Sequence, residues 1–227
     1  MALIVSIETA TPVCSVALHV EARLITTQTL CIAKSHAESL LCMLEHLLAV
    51  GVYKTKDIAA VAVSSGPGSY TGLRIGAATA KGLCYALGVP LIAINTLEAM
   101  AHGMRAYNTA QALLCPMLDA RRMEIYYLLT DAQGYILTAA RPQVIDQYSF
   151  QTWLQDSPVL FFGDGAAKCK PFFPRHRHAL FIDHIYPNAH HIGILAYAKF
   201  QQAEFEDLAH FTPLYLKPFQ GKPTTEV

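Results

Sequence analysis

Hydrophobic positions in the first thirty residues come in short runs divided by turn formers, not at helical spacing. LIVSIET, VCSVALH and RLITTQTL read as three β segments, joined by turns at residues 9–12 and 20–22, which predicts an antiparallel meander. The period then changes. Ser35 and Glu38 stand three apart ahead of a stretch with apolar residues at helical spacing. This is the signature of a capping box, in which the Ser hydroxyl and the Glu carboxylate each satisfy an orphan backbone N–H. A helix is predicted from residue 35, stopped by Gly51. IAAVAVSSG (58–66) reads as a buried strand, residues 71–87 as a helix ending at Gly88 before Pro90, and PLIAI (90–94) as another strand. The order is βββαβα with a trailing strand and helix.

A similar order returns from residue 112. ALLCPMLDA, MEIYYLLTD and GYILTAA are strand candidates, followed by a short helix near residues 148–155 and then PVLFFGDG. In both halves a first strand ends on an acid (Glu8, Asp119) and a later apolar strand ends in a glycine turn (SSGPG at 64–68, FFGDG at 161–165). Residue identity between the halves is slight, so the duplication rests on the order of patterns. Two βββαβα units facing across a cleft are the architecture of actin, Hsp70 and the sugar kinases, which makes an α/β actin-like fold the expectation by analogy. The halves are drawn at 1–104 and 105–227, with a hinge near residues 102–108 and the last segment returning to the first domain.

Composition narrows the setting. In 227 residues there is room for a core that needs no metal or disulfide. The six cysteines are scattered without a C-x-x-C pair, as free thiols in a reducing compartment would be. The apolar run at 1–7 is short, lacks a basic flank and breaks at Glu8, so neither a signal peptide nor a membrane span is expected. A cytoplasmic protein with no membrane partner is the expectation. Lys plus Arg and Asp plus Glu both number 17, so no basic excess suits the chain to holding nucleic acid unaided. Charged residues make up only 15% and the apolar fraction is 53%, so either the surface is unusually apolar or part of it is covered, and a covered surface is the expectation.

Candidate chemistry gathers at the loop SSGPGSYTGLRIG (64–76), where a strand runs through Gly66 and Gly68 into a helix N-terminus. Two readings stay open. Glycines, Ser69 and the free amides at the helix start suit an anion, which makes Glu8, Thr9, Gly66, Gly68 and Ser69 a candidate site at which ATP or ADP binds weakly at most. Equally, the glycines solve a packing problem in a tight connection. Glu8 at a strand end could hold a metal-nucleotide, or it could be a solvated turn acid. The histidines between 176 and 191 show no i, i+4 ligand pair beside an acid and are expected in a solvated loop. Arg175 and Arg177 beside them are candidate RNA-phosphate contacts or simply wet surface.

The two predicted helices carry a broad apolar surface, either spare for a partner or, for the second helix, buried entirely within its own domain. Leu40, Leu41, Met43, Leu44, Leu47 and Leu48 span about 160° of the first. Arg74 and Lys81 are the only charges on the second, whose Gly72, Gly76 and Ala80 are small at four-residue spacing, with Ala78 and Gly82 offset.

Six segments in order, LIVSIETATPVCSVAL, SHAESLL, SSGPGSYTGLRIGAATAKGL, GVPLIAINTLEAMA, MLDARRMEIYY and PLYLKP, make the chain similar to the TsaB (formerly YeaZ) family. The match is dense in the first half and thin beyond residue 130. That family is related to TsaD, its catalytic relative, and both resemble the M22 glycoprotease-like proteins. The resemblance implies a non-catalytic adaptor that supports TsaD while TsaD transfers threonylcarbamoyl from its adenylate to N6 of adenosine 37 in tRNA. It also implies a TsaE-like ATPase as a further partner, tRNA reached through the complex, and a homodimer when the chain is alone. Where TsaD carries N-H-x-x-x-H, this chain has Asn95 followed by Thr96 and Met100, poor ligands for a divalent ion, so neither a metal nor a catalytic residue of its own is expected. The docking face implied by the resemblance comprises His36, Leu40, Met43, Leu44, Leu47, Arg74, Gly76, Ala80 and Leu83. The rival expectations are an independent actin-like ATPase or small-molecule kinase and, behind it, a metallopeptidase.

Overall fold

Strand β1 (Leu3–Glu8) is the spine of the first lobe because every one of its residues is buried and its side chains alternate between two helical layers. Leu3, Val5 and Ile7 face one layer and Ile4 the other. The structure, a computed structural model, describes residues 1–32, 35–173 and 176–217. β1 pairs antiparallel with β2 (Cys14–Val20), which pairs with β3 (Arg23–Leu30). On its other side β1 runs parallel to β4 (Ile58–Gly66), which is followed by β5 (Leu91–Asn95). The parallel connections are made by α1 (His36–Gly51) and α2 (Tyr70–Leu87), and α3 (Thr96–Arg105) leaves the sheet toward the second half.

The second sheet repeats this plan. β6 (Leu113–Asp119) lies between β7 (Glu124–Thr130), with β8 (Ile136–Val144) beyond it, and β9 (Val159–Phe162), with β10 (Ala179–Ile182) outermost. The orders β3-β2-β1-β4-β5 and β8-β7-β6-β9-β10 match strand for strand in direction as well as position. The two strand-end glycines correspond too: Gly66 has φ 104° and Gly163 has φ 99°, values that a side chain makes costly. Helices are reduced in the repeat. α4 (Gln151–Asp156) has 6 residues where α1 has 16, and 3-10 turns at Ala166–Lys168 and Lys170–Phe172 replace α2.

The layers run α1 and α2, first sheet, α5 (Ala189–Gln201) with α3, second sheet, then α4 and the 3-10 turns. α5 brings Ile192 and Ala196 onto Ile4, Ala60, Ala62 and Ile92 of the first sheet, while α3 sends Leu97, Met100 and Met104 into the core of the second. A boundary after residue 104 therefore follows chain order, whereas the packing interleaves the halves. At residues 106–112 the chain stays ordered, with the Asn108 side chain bonded to both the N–H and the C=O of Ala112.

Three local expectations are corrected. The Ser35–Glu38 capping box does not form: Ser35 is near-helical (φ −99°, ψ −3°) and its hydroxyl donates to the Ile32 carbonyl at 2.8 Å, so it caps no amide. Gly51 is not the helix stop; Val52 takes the left-handed cap at φ 62°, and Gly51 is needed for space, since a Cβ there would lie 2.8 Å from Leu18 Cδ2. The segment read as a histidine-rich solvated loop holds β10 and the start of α5. The run ALFI supplies the fifth strand, and the Asn188 side chain accepts from the His190 N–H to cap the helix. Arg175 lies outside the described residues. No helix among the described residues is long and apolar enough to cross a membrane.

Candidate docking face and inter-lobe cleft

The glycine turn resolves toward packing. α2 starts against the backbone of residues 9–10: the Ser69 N–H donates to the Ala10 carbonyl at 2.6 Å, and the Ser69 side chain caps the Gly72 N–H. A Cβ on Gly68 would sit 2.5 Å from the Ala10 carbonyl oxygen, and one on Gly72 would sit 2.1 Å from that of Thr9. Gly76 faces the Thr9 hydroxyl in the same way, at 2.3 Å. Two of the amides at the helix start are thus engaged within the chain, Ser69 N–H by the Ala10 carbonyl and Gly72 N–H by the Ser69 hydroxyl. Of the two readings of this turn, the close packing of Gly68, Gly72 and Gly76 on residues 9–10 accounts for the glycines.

Glu8 is neither solvated nor open to a cleft. Its carboxylate is fully buried and accepts from the Ala10 N–H (2.6 Å) and the Ser64 hydroxyl (2.9 Å) on one oxygen, with no partner for the other. Burial outweighs these bonds and pushes its pKa up to about 7. A carboxyl whose folded pKa is raised contributes stability below its unfolded pKa, and that contribution is lost as pH rises toward 7. The stability difference between Glu8→Gln and wild type in urea titrations should therefore shift in favour of the variant by about 2 to 3 kcal/mol between pH 5 and pH 8.

The segment 206–217 closes this end of the first lobe. It bridges to β5 at Leu91–Glu206, and two of its carbonyls, those of Ala209 and Phe211, accept from Lys81 of α2, a cation that is thereby engaged within the chain. Leu214 N–H donates to the Ser65 carbonyl at 2.7 Å, Tyr215 packs on Tyr70 with ring centroids 4.9 Å apart, and Lys217 pairs with Glu124 of β7. This strap borders an open groove of about 740 Å³ lined by Ser65, Asn95, Glu98, Lys199, Asp207 and Tyr215 among others, and none of the five residues proposed for nucleotide lines it.

The positions of the TsaD imidazoles do not fit a metal. Thr96 is fully buried and Met100 is 3% exposed, its thioether packed among Leu97, Leu114, Leu128 and Phe162 of the second lobe's core. A thioether and one hydroxyl in an apolar core cannot replace the water around a divalent ion. Among the described residues no three His, Cys, Asp or Glu side chains converge as a metal-binding group.

On the helices, burial corrects the predicted docking list. His36, Leu40, Met43, Leu44 and Leu47 are all buried, with His36 Nε2 2.8 Å from the Thr11 carbonyl, and Gly76 and Ala80 lie on the buried side of α2. Arg74 is exposed and Leu83 half-buried. The lobe uses the centre of each apolar stripe for its own core, and the surplus sits at the flanks. α1 exposes Leu41 (56%) and Val50 (56%), and α2 exposes Ala78, Gly82, Tyr85 (85%) and Ala86. A Cβ on Gly82 would meet nothing within 4 Å, so the outer ridge of α2 is low and open to a close-packed helix. Leu41 marks the edge of the 160° stripe and was the available signal. Ala78 and Gly82 were named as small positions, but Tyr85 was hidden because a surplus on one helix cannot be phased without knowing which side its sheet takes.

A histidine seam was also missed. His19 of β2 is fully buried with both ring nitrogens unpartnered, and it stacks on His190 (5.8 Å), which stacks on His191 (4.9 Å). The tight fit needs Gly193, whose Cβ would fall 2.1 Å from His19 Nδ1. In the turn between β6 and β7, Arg121 and Arg122 both hold left-handed backbone (φ 68° and 48°), at a cost of about 1 kcal/mol or more each for residues with a Cβ.

Two sheets of one strand order, helices interleaved between them and corresponding glycine turns define an actin-like α/β protein built by duplication. The family model of TsaD, tRNA N6-adenosine threonylcarbamoyltransferase, matches residues 19–225. The chain is 38% identical over 124 residues to the tRNA threonylcarbamoyladenosine biosynthesis protein TsaB of Escherichia coli, which covers 55% of this chain and 53% of that protein. To TsaB of Bacillus subtilis it is 31% identical over 165 residues, 70% of each. The alignment thus spans about half the length of the first relative and about two thirds of the second. A Pseudomonas aeruginosa protein with similarity to peptidase YeaZ superposes with a TM-score of 0.82 at 24% identity, covering 96% of this chain and all of that one, which speaks for the fold. The chain belongs to the TsaB (YeaZ) family.

Proposed function

We propose that this chain is a non-catalytic adaptor of tRNA N6-threonylcarbamoyladenosine formation, docking on a TsaD-type catalytic subunit through the outer faces of α1 and α2. The observation that carries the reading is the row Ala78, Gly82 and Tyr85 along α2, with Leu41 and Val50 exposed on the two flanks of neighbouring α1: these are apolar or small positions on helices whose other sides already complete their own core. Burying such a face adds roughly 25 cal/mol for each Å² of apolar surface removed from water. Membership of a family whose relatives bear the name of tRNA threonylcarbamoyladenosine biosynthesis proteins supports the substrate. The reading assigns the chain no cofactor, so Mg-ATP added to the chain alone should give no turnover. A TsaE-like ATPase completes the set, and in the absence of a catalytic subunit the same face closes on a second copy.

Two measurements test this. Omitting the chain from a mixture of TsaD-type and TsaE-type proteins, tRNA and the threonylcarbamoyl adenylate should abolish modified adenosine; equal product without it would exclude the role. Ala78→Glu places a charge in the centre of the row without touching the core. It should leave thermal unfolding of the free chain within about 0.5 kcal/mol of wild type while eliminating co-elution with the catalytic subunit.

A further inference from the structure

The β6–β7 turn projects two uncompensated cations at the point where the C-terminal strap reaches the second lobe. The two acids flanking them in sequence are matched, Asp119 by Lys168 at 2.7 Å and Glu124 by Lys217, and the half-buried Asp164 accepts from the Asp119 N–H. Arg121 and Arg122 are exposed, and neither guanidinium has a hydrogen-bond or ion-pair partner among the described residues. Their backbone is held in left-handed conformations, with the Glu124 N–H donating to the Arg121 carbonyl, which fixes the tip as a closed turn. Met123 next to them is 47% exposed, and the strap that reaches Glu124 through Lys217 carries, two residues earlier, Tyr215, 39% exposed and packed on Tyr70, over whose ring Arg74 lies at 5.2 Å. Cations alternating with aromatic and soft apolar side chains suit a flexible polyanion with unstacked bases better than a compact anion or a protein face.

We propose that Arg121 and Arg122, together with Tyr215 on the strap whose Lys217 is anchored to Glu124 beside them, form a contact for single-stranded RNA, the guanidiniums engaging two backbone phosphates and the aromatic side a base. The chain's balanced charge fits a contact of this small size: it adds to RNA held mainly by another subunit and is not enough to hold RNA by itself. The proposal rests on the adaptor reading and extends it, since it assigns the second lobe a surface distinct from the α1–α2 row.

The test uses the full chain assembled with its TsaD-type partner and an unmodified tRNA labelled for fluorescence anisotropy, titrated at several salt concentrations. Arg121→Gln combined with Arg122→Gln should weaken binding about tenfold at moderate salt and lower the slope of log K against log salt by about 1.4, the value for two phosphates of a single strand. Arg121→Lys with Arg122→Lys should restore most of the slope, which a merely structural role of the turn would not. Assembly, followed by co-elution, should be unchanged in both. Intact assembly with unchanged affinity and slope would overturn the RNA contact and leave the adaptor reading standing. A wild-type chain that neither assembles nor promotes modification would overturn both. Loss of Mg-ATP affinity with RNA binding unaltered would assign the arginines to a free nucleotide and overturn the proposal.

Discussion

Gly72→Ala is expected to destabilise the chain by more than about 4 kcal/mol, whereas Gly82→Ala on the same helix should stabilise it by up to about 1 kcal/mol. At Gly72 the added methyl would stand 2.1 Å from the Thr9 carbonyl oxygen, a backbone atom that cannot rotate aside, and yielding would shift the end of β1 or lift the first turn of α2. The end of β1 also carries the buried Glu8, so any such shift breaks the bond from Ser64 as well. At Gly82 the methyl meets nothing within 4 Å and only restricts the unfolded chain. Urea denaturation of both variants checks the pair. Equal effects would mean that the first turn of α2 adjusts freely, contrary to close packing against residues 9–10. The Gly82 variant has a second use, because a methyl on the outer ridge should weaken docking while strengthening the monomer.

Acid should unfold the protein through the histidine seam. Burial is the first cause that takes the pKa of His19 and of His191 down to about 4, with the charges of His190, and for His191 also of His102, adding to it. His102 and His190 are lowered as well, His102 by burial and by Arg105 and His190. A histidine whose folded pKa is depressed contributes stability that is complete above its unfolded pKa of 6.5 and is lost as pH falls toward 4. Each of the two strongly shifted rings is worth about 3 kcal/mol over that interval, somewhat less for His191, which keeps some solvent contact. Glu8 works in the opposite direction by about 2 kcal/mol between pH 7 and pH 4.5. The histidines win because there are two of them. Calorimetric scans from pH 7 to pH 4 should show the melting temperature falling steeply, and His19→Phe should remove about half of the fall. A variant with the same pH dependence as wild type would show that protons reach the seam without disturbing α5.

The first sheet was legible in the sequence because its strands alternate or run apolar between turn formers, and neither signal needs a distant partner. The second sheet was legible to β9 for the same reason. β10 was not, since ALFI is four residues long and set among prolines, histidines and arginines that read as surface, and its pairing with β9 is decided by a strand nearly twenty residues earlier. The glycine turn at 66–76 was correctly located, yet its chemistry hung on what lies opposite, and that is the carbonyl row of residues 9–10, sixty positions away. For the proposed docking face, periodicity located two helices with apolar surplus but could not separate core positions from exposed ones. Leu40, Met43, Leu44 and Leu47 are the strongest apolar positions because they are core, and what is left for a partner is the weaker flank of Leu41, Ala78, Gly82 and Tyr85. The seam went unseen for a related reason: one histidine in an apolar strand says nothing until α5 brings two more to it.

The crossed placement of α3 and α5 makes each half of the chain a tenant of the other. The first sheet would lose the cover of Ile4 and Ile92 if the polypeptide ended before residue 188, and the second would lose Leu97, Met100 and Met104 if it began after residue 106. No single cut yields a self-sufficient fragment, so the two lobes should melt as one cooperative body, and a force or ligand acting on either is felt by both.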